Sequence, residues 1–350
     1  LSGWLLVALA CGVDRLVGDP RWCLHPVVVM GWLISRLRQV VETLAGDRPW
    51  ALRLGGGAIT LLLVVCSAGT GWGLEHLAMA SRGPLQLIAW LVLLIALASA
   101  LAGKSLEQGV QAVLDHLDDL PEARRKLGWI VGRDTADLDR SAILRALAET
   151  ASENGVDGLF APLFWMLVGA GFWALNPAWP GPLSLAWAFK AASTLDSMLG
   201  YRRGKLAWLG TAGARLDDLL VWLPCRLVAL TLPLTSSQSL GKALARCGPT
   251  LRKALQEGAA DPSPNAGVSQ AAYALVGQVQ LGGANRYGGQ IKVKPILGAG
   301  QPPPDVAAIG ELLAMGQRLE QIWLVGAALL LAVGAITTAA VAPFITKTLS

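Results

Sequence analysis

The sequence predicts an all-α, polytopic integral membrane protein: one membrane-embedded unit over residues 1–350, with re-entrant or interfacial helices and helical cytoplasmic loops. Three observations carry this. Of the 350 residues, 53% are hydrophobic and only 15% are charged, against about 25% charged in an ordinary soluble chain. Mean hydropathy is +0.50. The apolar residues also fall in uncharged runs of the ~20 residues that a hydrocarbon layer requires.

In chain order, Leu1 to Val13 is too short to span before Asp14 and reads as a half-buried or re-entrant helix. Leu54 to Gly73 and Leu85 to Gly103 are long enough to cross. Leu159 to Leu175 is shorter and is closed by Asn176-Pro177; Ile322 to Phe344 is the last uncharged run. Two more apolar stretches carry charge at their centres. Leu183 to Tyr201 holds Lys190 and Asp196, and Leu206 to Leu234 holds Arg215, Asp217, Asp218 and Arg226 around Pro224. Ionisable groups at membrane depth persist where they face a protein interior or a wet cavity, so these stretches are where a site is expected.

The basic residues cluster in 14–53, 104–153 and 236–321, which the positive-inside rule places in the cytoplasm. Keeping the last two blocks on one side requires that one of 183–201 or 206–234 crosses and the other does not. Asn176 to Pro182 is then the outward turn. Within the loops, Glu107 to Leu120 has amphipathic helical spacing, and Asp137 to Ser152 continues in that style. Gly282 to Pro304, rich in Gly and Pro, reads as an ordered or ligand-covering loop.

Several function classes are excluded or unsupported. The net charge of +5 is spread in blocks between apolar runs, which argues against nucleic-acid binding. Cys11, Cys23, Cys66, Cys225 and Cys247 stand singly, without zinc-ligand or disulfide spacing. Ala8-Leu9-Ala10-Cys11 lacks the preceding basic residue of a lipoprotein leader. There is no phosphate-binding glycine loop, no Ser-His-Asp arrangement and no internal repeat.

Five polar constellations remain. Glu149, Glu153 and Asp157 lie at i, i+4 and i+8 if one helix runs through them, a row of carboxylates suited to Mg²⁺ or to a solvated helix end. Lys190, Thr194, Ser197 and Tyr201 share a helical face that suits an anion, or else an interhelical hydrogen-bond seam. Arg215, Asp217, Asp218 and Arg226 suit a metal site or an ion-pair network. Asp261 to Gly267 is turn chemistry in which Ser263 or Asn265 would cap a helix whose free N–H groups attract phosphate. Near the N-terminus, Asp14, Asp19-Pro20 and His25-Pro26 form a polar cluster.

These segments, in this order, resemble the adenosylcobinamide-phosphate synthases of cobalamin biosynthesis, called CobD or CbiB. The matching stretches are Asp14, Gly18-Asp19-Pro20 and His25-Pro26-Val27; Gly132-Arg133-Asp134-Thr135; Glu149 to Phe164; Thr194 to Met198 with Gly200-Tyr201; Arg215 to Asp218; Ser263 to Gly267; Leu281-Gly282-Gly283; Tyr287-Gly288-Gly289; and Pro295 to Gly298. Ser193, Val221-Trp222, Cys225 and Val268-Ser269-Gln270 depart from the usual pattern.

The resemblance implies an enzyme, an acid–amine ligase that joins adenosylcobyric acid to aminopropanol phosphate or ethanolamine phosphate with ATP and Mg²⁺. It implies a multi-pass protein of the bacterial inner membrane, contacting lipid and acting as a homo-oligomer or beside other cobalamin-assembly enzymes, with no nucleic-acid partner. Expected roles follow. Lys190, Asp196 and Glu153 are catalytic; Glu149, Glu153, Asp157, Asp217 and Asp218 hold metal. Arg215, Arg226, Ser197, Thr194, Tyr201, Ser263, Asn265, Asn154 and His25 bind substrate or phosphate. The competing classes are a membrane regulator related to the β-lactamase-regulation family, which shares parts of the N-terminal and Glu-rich motifs, and a transporter, which repeat symmetry would favour.

Overall fold

A computed structural model describes residues 2–19, 25–236 and 239–348, with side chains described as far as residue 334. Pro20 of the N-terminal cluster, Cys23, and the side chains of the last apolar run from residue 335 onward lie outside the described residues. The architecture is all-α with one small hairpin, and the helices are long and apolar as a membrane requires.

The chain opens with α1 (Gly3–Val17), capped by the Ser2 hydroxyl, and α2 (Pro26–Ala45). The helix α3 (Pro49–Ala80) runs 32 residues, and α4 (Pro84–Ala98) is bent 46° from α5 (Gly103–Leu114). The continuous apolar run 85–103 is thus broken at its end, where the Ala102 N–H leaves the helix for the Gly158 carbonyl. The short α6 (Leu120–Leu127) follows. Then α7 (Arg140–Gly155), a wide π-turn (Val156–Phe160) and α8 (Ala161–Leu175) form one long rod.

Next come α9 (Pro182–Leu199), α10 (Leu206–Leu209) and α11 (Thr211–Thr231) with a 3₁₀ turn to Thr235. The remainder is α12 (Leu240–Gly258), α13 (Ala266–Gly277), β1 (Leu281–Tyr287), β2 (Gln290–Leu297) and α14 (Val306–Thr348).

Among the described residues three helical rods are long and apolar enough to cross a bilayer: Pro49–Ala80, Arg140–Leu175 and Thr211–Thr235. The bent α4–α5 pair makes a fourth if counted as one span. Of the two charged stretches, 211–235 meets that length and hydropathy and α9 does not. The reason is position. Helix α9 packs against α2, α3, α8 and α11 at once, so its surroundings are protein, and a helix jacketed by protein need not be lipid-compatible on any face. By contrast α4 exposes Leu85, Leu87, Ile88, Leu91, Val92 and Ile95, a contiguous apolar surface of the kind lipid covers.

The jacket is held at one end by a residue that sequence reading passed over. Glu75 on α3 is fully buried and accepts hydrogen bonds from the backbone N–H groups of Gly181 (2.9 Å), Leu183 (2.7 Å) and Ser184 (3.1 Å). It supplies from a neighbouring helix the cap that α9 lacks in its own sequence. Close approach makes this reach possible. A Cβ at Gly71, one turn earlier on α3, would stand 2.8 Å from the Ser184 Cα.

From Gly282 to Pro304 the expected ordered loop is corrected: most of it is an antiparallel hairpin, with Tyr287 paired to Gln290 across a two-residue turn. Gly288 and Gly289 both have positive φ, at 55° and 79°, the geometry that two-residue hairpin turns demand. Gln290 to Lys294 alternates polar and β-branched residues, the strand signal that the surrounding glycines obscured.

Replacing Glu75 by Ala leaves three buried N–H groups without acceptors. Hydrogen bonds to a charged group are worth roughly 1.5–3 kcal/mol each, so Glu75→Ala is expected to lower the thermal midpoint in detergent strongly and Glu75→Gln less. Equal midpoints for Glu75→Ala and wild type would show that the cap does not hold α9.

Candidate functional site

Lys190 lies two turns into α9, about 12 Å from its first residue at 1.5 Å per residue. The groups whose charges act on it are Asp19, Asp157, Asp217 and Asp14, so the end of α1, the α7–α8 rod and α11 converge on one ammonium. Asp157 in turn feels Asp217, Glu153 and Asp196, and Asp217 feels Asp196 and Asp218. Lys190, Asp157, Asp196, Asp217 and Asp218 are all half-buried, so the cluster is walled by helices. Asp217 Oδ1 is buried without a hydrogen-bond partner.

Each wall has a local reason. The π-turn at 156–160 widens the rod where Asp157 emerges, and such single wide turns inside helices often mark sites. The expected carboxylates have different partners.

Glu149, only 1% exposed, pairs with Arg133 and accepts the Gly282 N–H at 2.9 Å. Glu153 accepts from the Gln270 amide at 2.6 Å. Of the three, only Asp157 faces the Asp217 side of the site as its main neighbour. Glu149 as a metal ligand is therefore corrected to a fastening between α7 and the hairpin, because both its oxygens are already engaged.

The hairpin is fastened at several points. Arg133 Nη1 donates to Asn285 Oδ1 at 2.7 Å, and Arg145 donates to the Ala284 carbonyl at 3.0 Å. Asp134 takes the turn N–H groups of Gly288 and Gly289 at 3.0 and 2.8 Å. The Gly132-to-Thr135 motif thus docks the turn. Lys294, on β2, pairs with Asp261 at 3.3 Å. Burial alone would lower its ammonium pKa, but the charges of Glu153 and Asp261 outweigh that and raise it.

The other expected residues divide. Arg226 donates to Asn265 Oδ1 (2.8 Å) and to the Pro264 carbonyl (3.1 Å) and stacks on Trp222. Asn265 donates to the Asp218 carbonyl at 2.9 Å. Both hold the 261–267 turn against α11, which positions Asp217 and Asp218. Ser263 Oγ accepts the Asn265 and Ala266 N–H groups and so caps α13. Arg215 is exposed on α11, and Asn154 is exposed on α7.

Of the expected hydroxyl face, Lys190, Thr194 and Ser197 lie on α9 and Tyr201 does not. Thr194 and Ser197 donate to the carbonyls four residues back, at Lys190 and Ser193, and α9 ends before the exposed Tyr201. Its end is fixed by Gly200, where a Cβ would collide with Asp196 Oδ1 at 2.1 Å.

His25 caps α2 by accepting the Val27 N–H on Nδ1, which leaves Nε2 to donate to Asp19 at 3.1 Å. Burial pushes the Asp19 carboxyl up, but the His25 and Ser105 hydrogen bonds and the Lys190 charge outweigh it and hold it below its usual value.

Sequence reading missed Gln270, Lys294, Arg133 and Glu75. Gln270 was visible as a lone amide in an apolar helix, and Arg133 as the cation of its motif. Nothing in the local sequence marks Glu75.

The chain matches the family model described as CobD/Cbib protein over residues 7–316. It is 40% identical over 303 residues to the cobalamin biosynthesis protein CobD of Synechocystis sp., covering 86% of this chain and 84% of that one. It is 38% identical over 292 residues to CobD of Klebsiella pneumoniae, with 82% and 84% covered. To CbiB of Salmonella typhi it is 38% identical over 299 residues, with 84% and 86% covered. No solved structure matches.

Removing one partner of a buried ion pair costs roughly 3–5 kcal/mol. Glu149→Ala is expected to release the hairpin from α7, so that limited proteolysis cuts near Gly288-Gly289 many-fold faster than in wild type. Unchanged cleavage would show that the hairpin is held without this pair.

Proposed function

The chain belongs to the CobD/CbiB family, whose role lies in cobalamin biosynthesis, and we propose that it performs the amide ligation of adenosylcobyric acid with aminopropanol phosphate or ethanolamine phosphate, using ATP. The observation that carries this reading is the half-buried Lys190 among Asp157, Asp196 and Asp217 at one end of the bundle. A cation for phosphoryl oxygens and carboxylates for a metal and a proton are what such a ligation needs.

A carboxylate does not react with an amine until it carries a leaving group. In the proposed sequence the substrate carboxylate oxygen attacks the γ-phosphorus of ATP, the bond to the β-phosphate oxygen breaks, and ADP leaves. The amine then attacks the acyl carbon, inorganic phosphate departs, and the nitrogen gives up one proton. Lys190 neutralises the oxygens of the group in transfer, an electrostatic task worth most in a water-poor site. Asp196, on the open end of α9, accepts the amine proton. Glu153, held by Gln270, orients the acidic wall.

Magnesium fits this donor set. Among the described residues no three His, Cys, Asp or Glu side chains stand together as a self-sufficient metal site, but Mg²⁺ is commonly held by one or two carboxylates completed by substrate phosphates. Asp157 and Asp217 would hold it, the unpartnered Asp217 Oδ1 being the free ligand. When bound, it would offset charge on the transferring phosphoryl group.

The bundle end bearing this cluster is the end of the basic loop blocks, so in this reading the site faces the cytoplasm and the protein resides in the inner membrane. The 261–267 turn, braced on Arg226 and Asn265, sets the ligase reading above the regulatory one, since it serves the Asp217 wall.

Purified protein in detergent, given adenosylcobyric acid, aminopropanol phosphate, ATP and Mg²⁺, is expected to yield the amide product by mass spectrometry. Lys190→Ala and Asp217→Asn should each reduce kcat/KM by about 10²-fold or more in folded protein. Asp196→Asn should lower kcat with little change in KM. Product formed equally without ATP, or full activity in Lys190→Ala, would sink the mechanism; wild type that binds all substrates and ligates none would sink the assignment.

A further inference from the structure

Beside the Lys190 cluster lies a second polar enclosure, where α1 meets α5, α7, α13 and α14. Its cavity is about 50 Å³, room for a small ion and a few waters, given the roughly 10–15 Å³ that one water needs on this measure. Asp14 and Glu320 both line it, at 2% and 3% exposure.

Each of these carboxylates is only half-engaged. Asp14 Oδ2 accepts the Lys104 N–H at 3.3 Å, and Glu320 Oε2 pairs with Arg15 at 2.7 Å. The second oxygens, Asp14 Oδ1 and Glu320 Oε1, are buried without a hydrogen-bond partner. Buried polar atoms in native proteins are nearly always satisfied, so two orphaned carboxylate oxygens lining one cavity call for an occupant. Tyr273, whose side chain is otherwise fully buried, lines the same wall.

Charge selects the occupant. Arg15 is matched by Glu320, and Lys104 by Glu107 at 3.3 Å. Asp14 is the carboxylate lining the cavity that has no ion-pair partner of its own there. A single positive charge with an appetite for oxygen ligands balances it, whereas a divalent ion would leave an excess beside Arg15.

We propose that this cavity is a binding site for a monovalent alkali cation, ligated by Asp14, Glu320 and the Tyr273 hydroxyl, with water completing the shell. The ion bridges α1 to α13 and α14, which otherwise bring two carboxylates face to face. It also sets how strongly Asp14 acts on Lys190, so occupancy adjusts the neighbouring site without touching substrate. The inference stands independently of the ligation reading.

Thermal unfolding of the full chain in detergent and EDTA, without substrates, tests it. In NaCl or KCl, against choline chloride at equal ionic strength, the wild-type midpoint is expected to rise by several degrees and to saturate with cation concentration. Asp14→Asn should abolish the saturable rise, Tyr273→Phe should move its half-point to higher concentration, and Asp217→Asn should keep it. Should Asp14→Asn fail to fold, Tyr273→Phe carries the test. Equal midpoints in choline and alkali salts, a rise that survives Asp14→Asn or is unmoved in Tyr273→Phe, or a response to MgCl₂ alone would overturn the proposal.

Discussion

An ammonium set among carboxylates inside a helical bundle is the constraint from which the rest of this structure follows. Lys190 cannot face lipid, and its acidic neighbours cannot face one another without it. The helix that carries it must therefore be enclosed by other helices, and α9 is, by α2, α3, α8 and α11. Enclosure creates a second demand, because a buried helix start leaves backbone donors with no water to satisfy them. Glu75 meets that demand. The two charged features of α9 are thus linked: the carboxylate that caps its buried start allows the lysine to sit midway along an enclosed helix.

The rod α7–α8 distributes its three carboxylates among three tasks. Glu149 fixes the hairpin, Glu153 meets α13 through Gln270, and Asp157 reaches the wall formed by α11. The hairpin and the 261–267 turn converge on this rod from the basic side of the molecule, joined to each other by Lys294 and Asp261. In the proposed reaction these are the parts that order the space above Lys190, while the lipid-facing helices supply only the frame.

How far the sequence revealed this depends on the range of the interaction concerned. Composition and run length sufficed for the all-α membrane class, since both are local properties that lipid imposes directly. The polar motifs around Lys190, Asp157 and Asp217 were visible because charge in an apolar run is conspicuous. Periodicity failed where a helix ended. Tyr201 falls beyond α9, so spacing alone overstated the hydroxyl face. The hairpin was hidden by its glycines, which signal a loop until paired with the strand beyond. Glu75 and Glu320 were missed because their partners stand more than 100 and 300 residues away.

The polarity of α9 gives the site its sense. A helix presents partial positive charge at its start and partial negative charge at its end. The start is capped by Glu75, so the uncompensated end is the one that Asp196 and Gly200 close. That end, with Asp196, Asp217 and Asp218 around it, favours cationic groups, whereas Lys190 one to two turns inward favours anionic ones. The attacking amine and the phosphoryl group in transfer thus meet opposite preferences at two depths along one helix. On the proposed reading this separation keeps the amine near its proton acceptor and the phosphoryl oxygens near the lysine, an ordering by charge that needs no further contact to set its direction.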